Sequence, residues 1–184
     1  YKEDFFLYVD TWDPHEPWDS PVYYTEPFWP DYDGEVIDPL YGRWRDMPGF
    51  TEDKVRKAHA TYMGQISMVD TWIGYLLKRV EDMGLMDTTA IVFTSDHGFY
   101  FGEHGGLFGK LTFDKKDDGA LPRQGDENVT WDHSPLYEEL VHIPLLIYVP
   151  RMEPGVYDGL TSVVDVMPTV LEVLGQSVPE SVQG

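Results

Sequence analysis

The 184 residues of the chain are enough for one domain with a buried core, and 42% of them are hydrophobic. Acidic residues outnumber basic ones by 33 to 13, which gives a formal net charge of −20. This balance argues against nucleic acid and anionic membranes as partners, because both need a basic protein surface. The chain has no cysteine, which excludes disulfide bonds and thiolate zinc sites.

The beginning of the chain carries no recognisable targeting signal. No run of about 18 apolar residues is present, so the sequence predicts a soluble protein without a transmembrane helix. The first ten residues do not resemble a signal peptide, and the compartment stays unassigned. Residues 5–9 form an apolar run flanked by charge, which predicts a buried strand. A core strand this early indicates that the sequence starts inside a longer protein.

Residues 11–50 are rich in proline, aspartate, tryptophan and tyrosine, and they show no secondary-structure period. A stretch of this length without regular structure predicts an active-site loop. Its aromatic side chains could wall a pocket or form a local core, and the sequence leaves both open.

A long helix over residues 51–84 is the clearest structural prediction. Thr51 is a suitable N-cap, and Glu52 and Asp53 follow it in the first turn, where carboxylates favour the helix dipole. Apolar residues then recur with the helical period of 3.6, and Gly84 suits the position just beyond the last turn.

The elements after this helix predict an α/β fold over residues 1–184. In order, they are a strand over 89–94, a loop over 111–133, a short helix over 136–140, a strand over 143–149, a weaker strand over 160–164 and a helix over 166–174. Continuous apolar strands are typical of parallel sheets covered on both faces. We therefore expect a mostly parallel central sheet flanked by helices.

Asp96 and His97 directly follow the strand predicted at 89–94. A carboxylate and an imidazole at the end of a buried strand can bind one divalent ion together, and Gly98 permits a sharp turn beside them. Glu103 and His104 add further oxygen and nitrogen donors a few residues later. A simple Asp-His turn that caps a loop is the alternative.

Lys110 and His15 are the candidate contacts for an anion. Lys110 follows a glycine-rich segment over 102–109, where the backbone can approach a small ligand, and its ammonium can meet an anion as a point charge. His15 lies between Pro14 and Pro17, which stiffen its turn, and it could protonate a leaving group. A flexible surface lysine and a loop histidine packed on tryptophan are the alternatives.

Four separated segments together resemble the sulfatases, a family of the alkaline phosphatase-like superfamily. They are residues 10–18, which contain Pro14-His15-Glu16-Pro17, residues 94–110, which contain Ser95-Asp96-His97-Gly98 and Gly102-Glu103-His104-Gly105, residues 136–147 and residues 165–171. They occur in the family's order and span nearly the whole chain. The resemblance implies an alkaline phosphatase-like α/β fold.

The resemblance also implies hydrolysis of anionic sulfate esters with one divalent cation, usually Ca²⁺, with Mg²⁺ or Mn²⁺ as alternatives. Carried over to this sequence, Asp96 and His97 would bind the metal, and Lys110 and His15 would contact the sulfate. His15 would also assist the leaving oxygen. Glu103 would support the metal ligands from behind, and His104 would lie near the substrate.

The family's nucleophile does not occur in these 184 residues. In sulfatases it is a formylglycine made in a Cys/Ser-x-Pro-x-Arg segment, which precedes the regions matched here together with a pair of aspartates. The family's C-terminal subdomain is not recognisable either. We therefore expect a partial catalytic domain that needs the remainder of the polypeptide and is inactive alone.

Two other functions stay open at this point. A phosphodiesterase or phosphonate monoester hydrolase of the same superfamily could use the same Asp-His pair. A non-catalytic binding domain could keep the fold without the nucleophile. We expect His15, Asp96, His97 and Lys110 to converge on one pocket at the rim of a sheet.

Overall fold

The computed structural model describes residues 4–38, 41–113, 131–132 and 134–184. The chain divides into two compact units. The first unit comprises Tyr1–Leu76 and Phe99–Leu140, and the second comprises Leu77–Gly98 and Val141–Gly184. Most of the loop predicted at 111–133 lies outside the described residues.

Five α-helices and two short 3₁₀ turns lie within the described residues. The helices are α1 Val22–Thr25, α2 Glu52–Asp82, α3 Glu103–Gly106, α4 Glu138–Val141 and α5 Val166–Val173, and the 3₁₀ turns are Trp44–Asp46 and Val163–Asp165. Only α2 and α5 exceed one turn, so most of the described chain is loop and short strand. None of these helices has the length and apolar character needed to cross a membrane.

The described strands form three small sheets. They are β1 Gly42–Arg43, β2 Ile91–Thr94, β3 Tyr100–Phe101, β4 Leu107–Gly109, β5 Thr112–Phe113, β6 Trp131–Asp132 and β7 Leu145–Tyr148. Their orders are β1-β4-β3, β2-β7 and β5-β6. Every pairing among the described strands is antiparallel, so the expectation of a mostly parallel sheet is wrong for these strands.

Helix α2 confirms the prediction for residues 51–84. The Thr51 hydroxyl accepts a hydrogen bond from the Lys54 amide (3.3 Å), as an N-cap should. Gly84 has a φ of +69°, the left-handed conformation expected just beyond a helix. The short helix near 136–140, the strand within 143–149 and the helix within 166–174 are confirmed as α4, β7 and α5.

Two predicted strands are absent. Residues 5–9 form no strand, and their side chains are 54–76% exposed, because no described strand lies alongside to pair with them and cover them. Residues 160–164 lead into the 3₁₀ turn instead. There the Ser162 amide donates to the Asp165 side chain (2.6 Å), a local capping contact that competes with extended structure.

The aromatic segment 11–50 contributes to the core of the first unit. Trp18 is almost fully buried, and its ring packs edge-on against Phe99 (4.9 Å between centroids). The buried cluster draws on this segment, on α2 and on the strands that follow, and it consists of Trp18, Ile37, Tyr41, Met47, Val55, Ala58, Phe99 and Phe108. Of the two possibilities left open by the sequence, the local core is therefore present.

Gly64 lets the α1 region approach helix α2 closely. A Cβ atom at Gly64 would overlap the Thr25 hydroxyl and lie 3.1 Å from Thr25 Cα. We expect Gly64→Ala to lower the free energy of unfolding by about 1–3 kcal/mol, measured by urea denaturation. Gly74→Ala in the same helix is the matched control. Nothing lies within 4 Å of that Cβ position, so the alanine should stabilise by about 0.5–1 kcal/mol. Equal effects at both positions would contradict this packing.

Candidate active site

The loop around His15 is held by contacts on both sides. The Trp18 indole donates to the Pro14 carbonyl (2.9 Å), which ties the loop to the core of the first unit. From helix α2, the Gln65 side-chain amide donates to an Asp13 carboxylate oxygen (2.6 Å). The His15 ring lies 4.4 Å from the exposed Trp12 ring. A loop anchored in this way can hold an imidazole in a fixed place without belonging to a helix or strand.

Lys110 lies in direct contact with His15, although 95 residues separate them in the chain. Lys110 Nζ is 2.7 Å from His15 Nε2 and 3.1 Å from the nearer carboxylate oxygen of Glu16. His15 Nδ1 lies 2.6 Å from the Glu16 carbonyl oxygen, which can only accept. Nδ1 therefore carries the ring proton, and Nε2 accepts a hydrogen bond from the lysine ammonium.

Glu16 is buried at the centre of this cluster. Its side chain accepts hydrogen bonds from the Tyr41 hydroxyl and from Lys110. Burial raises the pKa of the Glu16 carboxyl, but the Tyr41 hydroxyl and the Lys110 ammonium stabilise the carboxylate more strongly, and the net pKa lies below its ordinary value. Burial, and then the neighbouring carboxylate, raise the pKa of Tyr41. The pair is therefore a carboxylate and a neutral phenol at neutral pH.

Gly109 makes room for Tyr41 beside Lys110. Its φ is +106°, and a Cβ atom there would overlap the Tyr41 ring and lie 3.2 Å from Tyr41 Cα. Close packing against Tyr41 therefore requires a glycine at position 109, in addition to the left-handed backbone conformation that favours one. Sequence reasoning singled out neither Tyr41 nor Glu16 as a functional residue.

Glu103 and His104 occupy a separate turn of the first unit. The Glu103 carboxylate accepts a hydrogen bond from the Phe101 amide (2.6 Å) and so fixes the turn. The His104 ring stacks on Tyr137 (3.6 Å, 12° between planes) and lies 2.8 Å from a carboxylate oxygen of Glu139. This hydrogen bond lowers the pKa of Glu139. Both predicted residues therefore have structural partners.

Asp96 and His97 follow strand β2 in the second unit and are exposed to solvent. One Asp96 oxygen accepts a hydrogen bond from the His97 amide (2.8 Å), and the other lies 3.4 Å from His97 Nε2. His97 Nδ1 donates to the Gly98 carbonyl (2.8 Å), which leaves the lone pair on Nε2. Partial burial raises the pKa of Asp96, but the hydrogen bond from the His97 amide and the positive charge that His97 carries when protonated outweigh it, and the net pKa is lowered.

This pair fits part of the ligand set of a divalent ion. Two ligands at right angles in a calcium shell lie about 3.4 Å apart, which is also the separation of the Asp96 oxygen and the His97 nitrogen. Among the described residues, no group of three or more histidine, aspartate or glutamate side chains is arranged to hold a metal. The pair therefore offers two donors, and an ion bound there would need others.

The first unit also contains an open groove of about 340 Å³. Trp29 forms one wall, with the Arg56 guanidinium 5.8 Å from its ring. None of the six predicted site residues, all of which are described, lines it. The His15–Lys110 contact and the groove are thus different features of this unit.

The structure brings together two of the predicted pairs. His15 and Lys110 meet in the first unit, and Asp96 and His97 meet in the second, so each pair is described within its own unit. Glu103 and His104 make contacts of their own in the first unit. The convergence of all four main residues on one pocket stays a prediction.

Known proteins similar to this chain agree with the resemblance carried by its motifs. The chain is 27% identical to arylsulfatase K from Xenopus laevis over its full length, and it covers 34% of that protein. It is 35% identical to an N-acetylglucosamine-6-O-sulfatase from Bacteroides thetaiotaomicron, with 82% of the chain and 28% of that protein covered. The chain thus spans about a third of the length of the curated relatives it matches.

A solved structure and a family model complete the comparison. A phosphonate monoester hydrolase from Silicibacter pomeroyi superposes with a TM-score of 0.58 and 30% sequence identity, over 77% of the chain and 23% of that protein. That hydrolase has the alkaline phosphatase-like α/β fold that was expected for this chain. The family model named Sulfatase matches residues 2–176. The chain therefore belongs to the sulfatase family.

Proposed function

We propose that the protein containing this chain is a metal-dependent sulfuric ester hydrolase. The observation that carries the proposal is the contact between Lys110 and His15, which joins the two motifs expected to bind sulfate. Membership of the sulfatase family and the names of the relatives support the same reaction class.

The roles of Lys110 and His15 follow from their protons. A sulfate oxygen only accepts hydrogen bonds, so it can take the place of His15 Nε2 as the acceptor of a Lys110 proton. His15 donates through Nε2 only as an imidazolium. In that form it can bind the anion and then pass the proton to the departing ester oxygen.

Asp96 and His97 are proposed as two ligands of one divalent cation, most simply Ca²⁺, with Mg²⁺ or Mn²⁺ as alternatives. When bound, the ion would polarise the sulfate oxygens and favour the charge of the transition state. Oxygen-rich shells suit all three ions, and one imidazole is compatible with them. We propose that Glu103 keeps its turn in place and that His104 lies close to the substrate.

We further propose that polypeptide outside these 184 residues supplies the nucleophile and the remaining metal ligands. We expect the protein at its natural length, but not the 184-residue chain, to hydrolyse 4-nitrophenyl sulfate. The release of 4-nitrophenol measures this, with a circular dichroism spectrum to show that the chain is folded. Hydrolysis by the 184-residue chain alone would contradict the proposal that polypeptide outside it completes the site. A natural sequence without a Cys/Ser-x-Pro-x-Arg segment would instead favour a non-catalytic binding domain.

A phosphonate monoester hydrolase is the second candidate function. The solved phosphonate monoester hydrolase and a multifunctional alkaline phosphatase superfamily protein from Trinickia caryophylli are both about as similar to this chain in sequence as the sulfatases are. Rates on 4-nitrophenyl sulfate and on a matched 4-nitrophenyl phosphonate, measured with one preparation, separate the two. A higher kcat/KM on the phosphonate would make it the primary activity.

A further inference from the structure

Glu16 places a buried negative charge beside the proposed anion contacts. The residue is 8% exposed, and its carboxylate lies 3.1 Å from Lys110 Nζ. In a chain with a net charge of −20, an additional carboxylate here opposes the binding of an anionic ester. A site built only for tight anion binding would not contain it.

The surrounding contacts hold this carboxylate in its charged form. Tyr41 donates to one of its oxygens and Lys110 reaches both. Tyr41 lies 25 residues away and packs against Gly109, where a larger residue would collide with its ring. The same packing therefore fixes the charge of Glu16 and the backbone that carries Lys110.

The charges in this cluster nearly cancel. Lys110 contributes one positive charge and Glu16 one negative charge, and the His15 tautomer described above is neutral. Before a ligand binds, two of the three ammonium protons of Lys110 face His15 and Glu16, which leaves the third for a ligand oxygen even if His15 is not displaced. A ligand oxygen on that third proton lies about 5 Å from the Glu16 carboxylate, given ordinary hydrogen-bond lengths.

We propose that Glu16, held by Tyr41, is a specificity-determining residue that favours monoanionic ester groups over dianionic phosphate monoesters. The monoanionic class contains sulfate monoesters, phosphonate monoesters and phosphodiesters. The proposal rests on the proposed function, since it concerns the same anion contacts. At about 5 Å, repulsion from the partly buried Glu16 carboxylate should weaken binding by about tenfold to a hundredfold for each negative charge on the ligand, relative to a site without that carboxylate.

The central experiment compares two substrates in three proteins of natural length: the wild type, Glu16→Gln and Tyr41→Phe. The quantity is the ratio of kcat/KM for 4-nitrophenyl phosphate to that for 4-nitrophenyl sulfate at pH 8. Phosphate monoesters lose their second proton near pH 6, so the phosphate is a dianion there. Glu16→Gln should raise this ratio by about tenfold or more.

Tyr41→Phe is the matched control because it removes a hydrogen bond from Glu16 but keeps the carboxylate. It should lower both rates together and leave their ratio within about threefold. If Glu16 had a purely structural role, Glu16→Gln would also change both rates together and leave their ratio unchanged. An unchanged ratio in a folded Glu16→Gln protein therefore overturns the inference.

A second measurement uses binding instead of turnover, and it includes Glu16→Ala in case Glu16→Gln fails to fold. Dissociation constants of phenyl phosphate and phenyl sulfate are compared by calorimetry between pH 5 and pH 8. Phenyl sulfate stays a monoanion, so its curve is the reference for every pH effect other than the second ionisation of the phosphate. Relative to it, the change in phenyl phosphate affinity on loss of the second proton should be about tenfold less favourable in the wild type than in a Glu16 variant. Equal changes in the wild type and the variant would contradict the proposal.

Failure of the proposed function is distinguishable from failure of this inference. A wild type of natural length that hydrolyses no sulfate ester removes the sulfatase proposal, while the two dissociation constants still test the charge selection. A wild type that is an active sulfatase, with the same phosphate-to-sulfate ratio in Glu16→Gln, removes only the role assigned to Glu16.

Discussion

Replacement of Lys110 by methionine should lower kcat/KM for 4-nitrophenyl sulfate by about 10²–10³-fold in the protein of natural length. Methionine keeps most of the side chain's volume but removes the ammonium that contacts His15 and Glu16. The loss should appear in kcat as well as KM, since the positive charge favours the transition state more than the ground state. Initial rates over a range of substrate concentrations measure both.

Lys57 offers a close control for this substitution. Its side chain is 16% exposed, as is that of Lys110, and it also pairs with carboxylates of the first unit, those of Asp33 and Glu35. Lys57→Met should therefore have a similar effect on a buried methylene chain and leave kcat/KM within about twofold. Equal losses in both variants would show that Lys110 acts through stability alone.

Removal of Lys110 also leaves Glu16 buried without its cation. Such an unpaired carboxylate can destabilise a protein by about 3–5 kcal/mol, and the loss of activity must be separated from this effect. The double variant Lys110→Met with Glu16→Gln removes both charges. It should recover stability in urea denaturation but not activity, if the ammonium is needed for anion binding.

The long helix illustrates what sequence alone could predict. Its cap, its period and its terminal glycine are local features, and the observed range Glu52–Asp82 differs from the prediction by a residue or two at each end. Strands depend on partners that a local pattern does not specify. Residues 5–9 have the apolar composition of a strand but lie exposed, because burial of a strand depends on neighbours from elsewhere in the chain.

The functional residues divide in the same way. His15 and Lys110 could be selected from short motifs, and their contact agrees with that selection. Tyr41 could not, because its role arises from packing against a glycine 68 residues away and from a hydrogen bond to a carboxylate 25 residues away. The spacing of Ser162 and Asp165 is that of a helix-capping contact, and this could have been recognised from the sequence. The apolar residues between them suggested a strand instead.

Replacement of Asp96 by asparagine should weaken Ca²⁺ binding by about a hundredfold in the protein of natural length, measured by calorimetry after removal of bound metal with a chelator. The substitution keeps the shape of the side chain but removes a negative charge from the ligand set, and calcium affinity depends strongly on ligand charge. His97→Ala should weaken binding by about tenfold, since imidazole is a poorer ligand than carboxylate for a hard cation.

Asp87 provides the control for this last prediction. It is an exposed carboxylate of the same unit, so Asp87→Asn makes the same change in net charge, and it should leave calcium affinity within about twofold. The 184-residue chain itself should bind Ca²⁺ only at about millimolar concentrations, because its described residues offer the two donors of Asp96 and His97 but no group of three. Sub-micromolar binding by the chain, or equal losses in Asp96→Asn and Asp87→Asn, would show that the ion is held elsewhere. Specific loss at Asp96 and His97 would instead identify the end of strand β2 as part of the metal site.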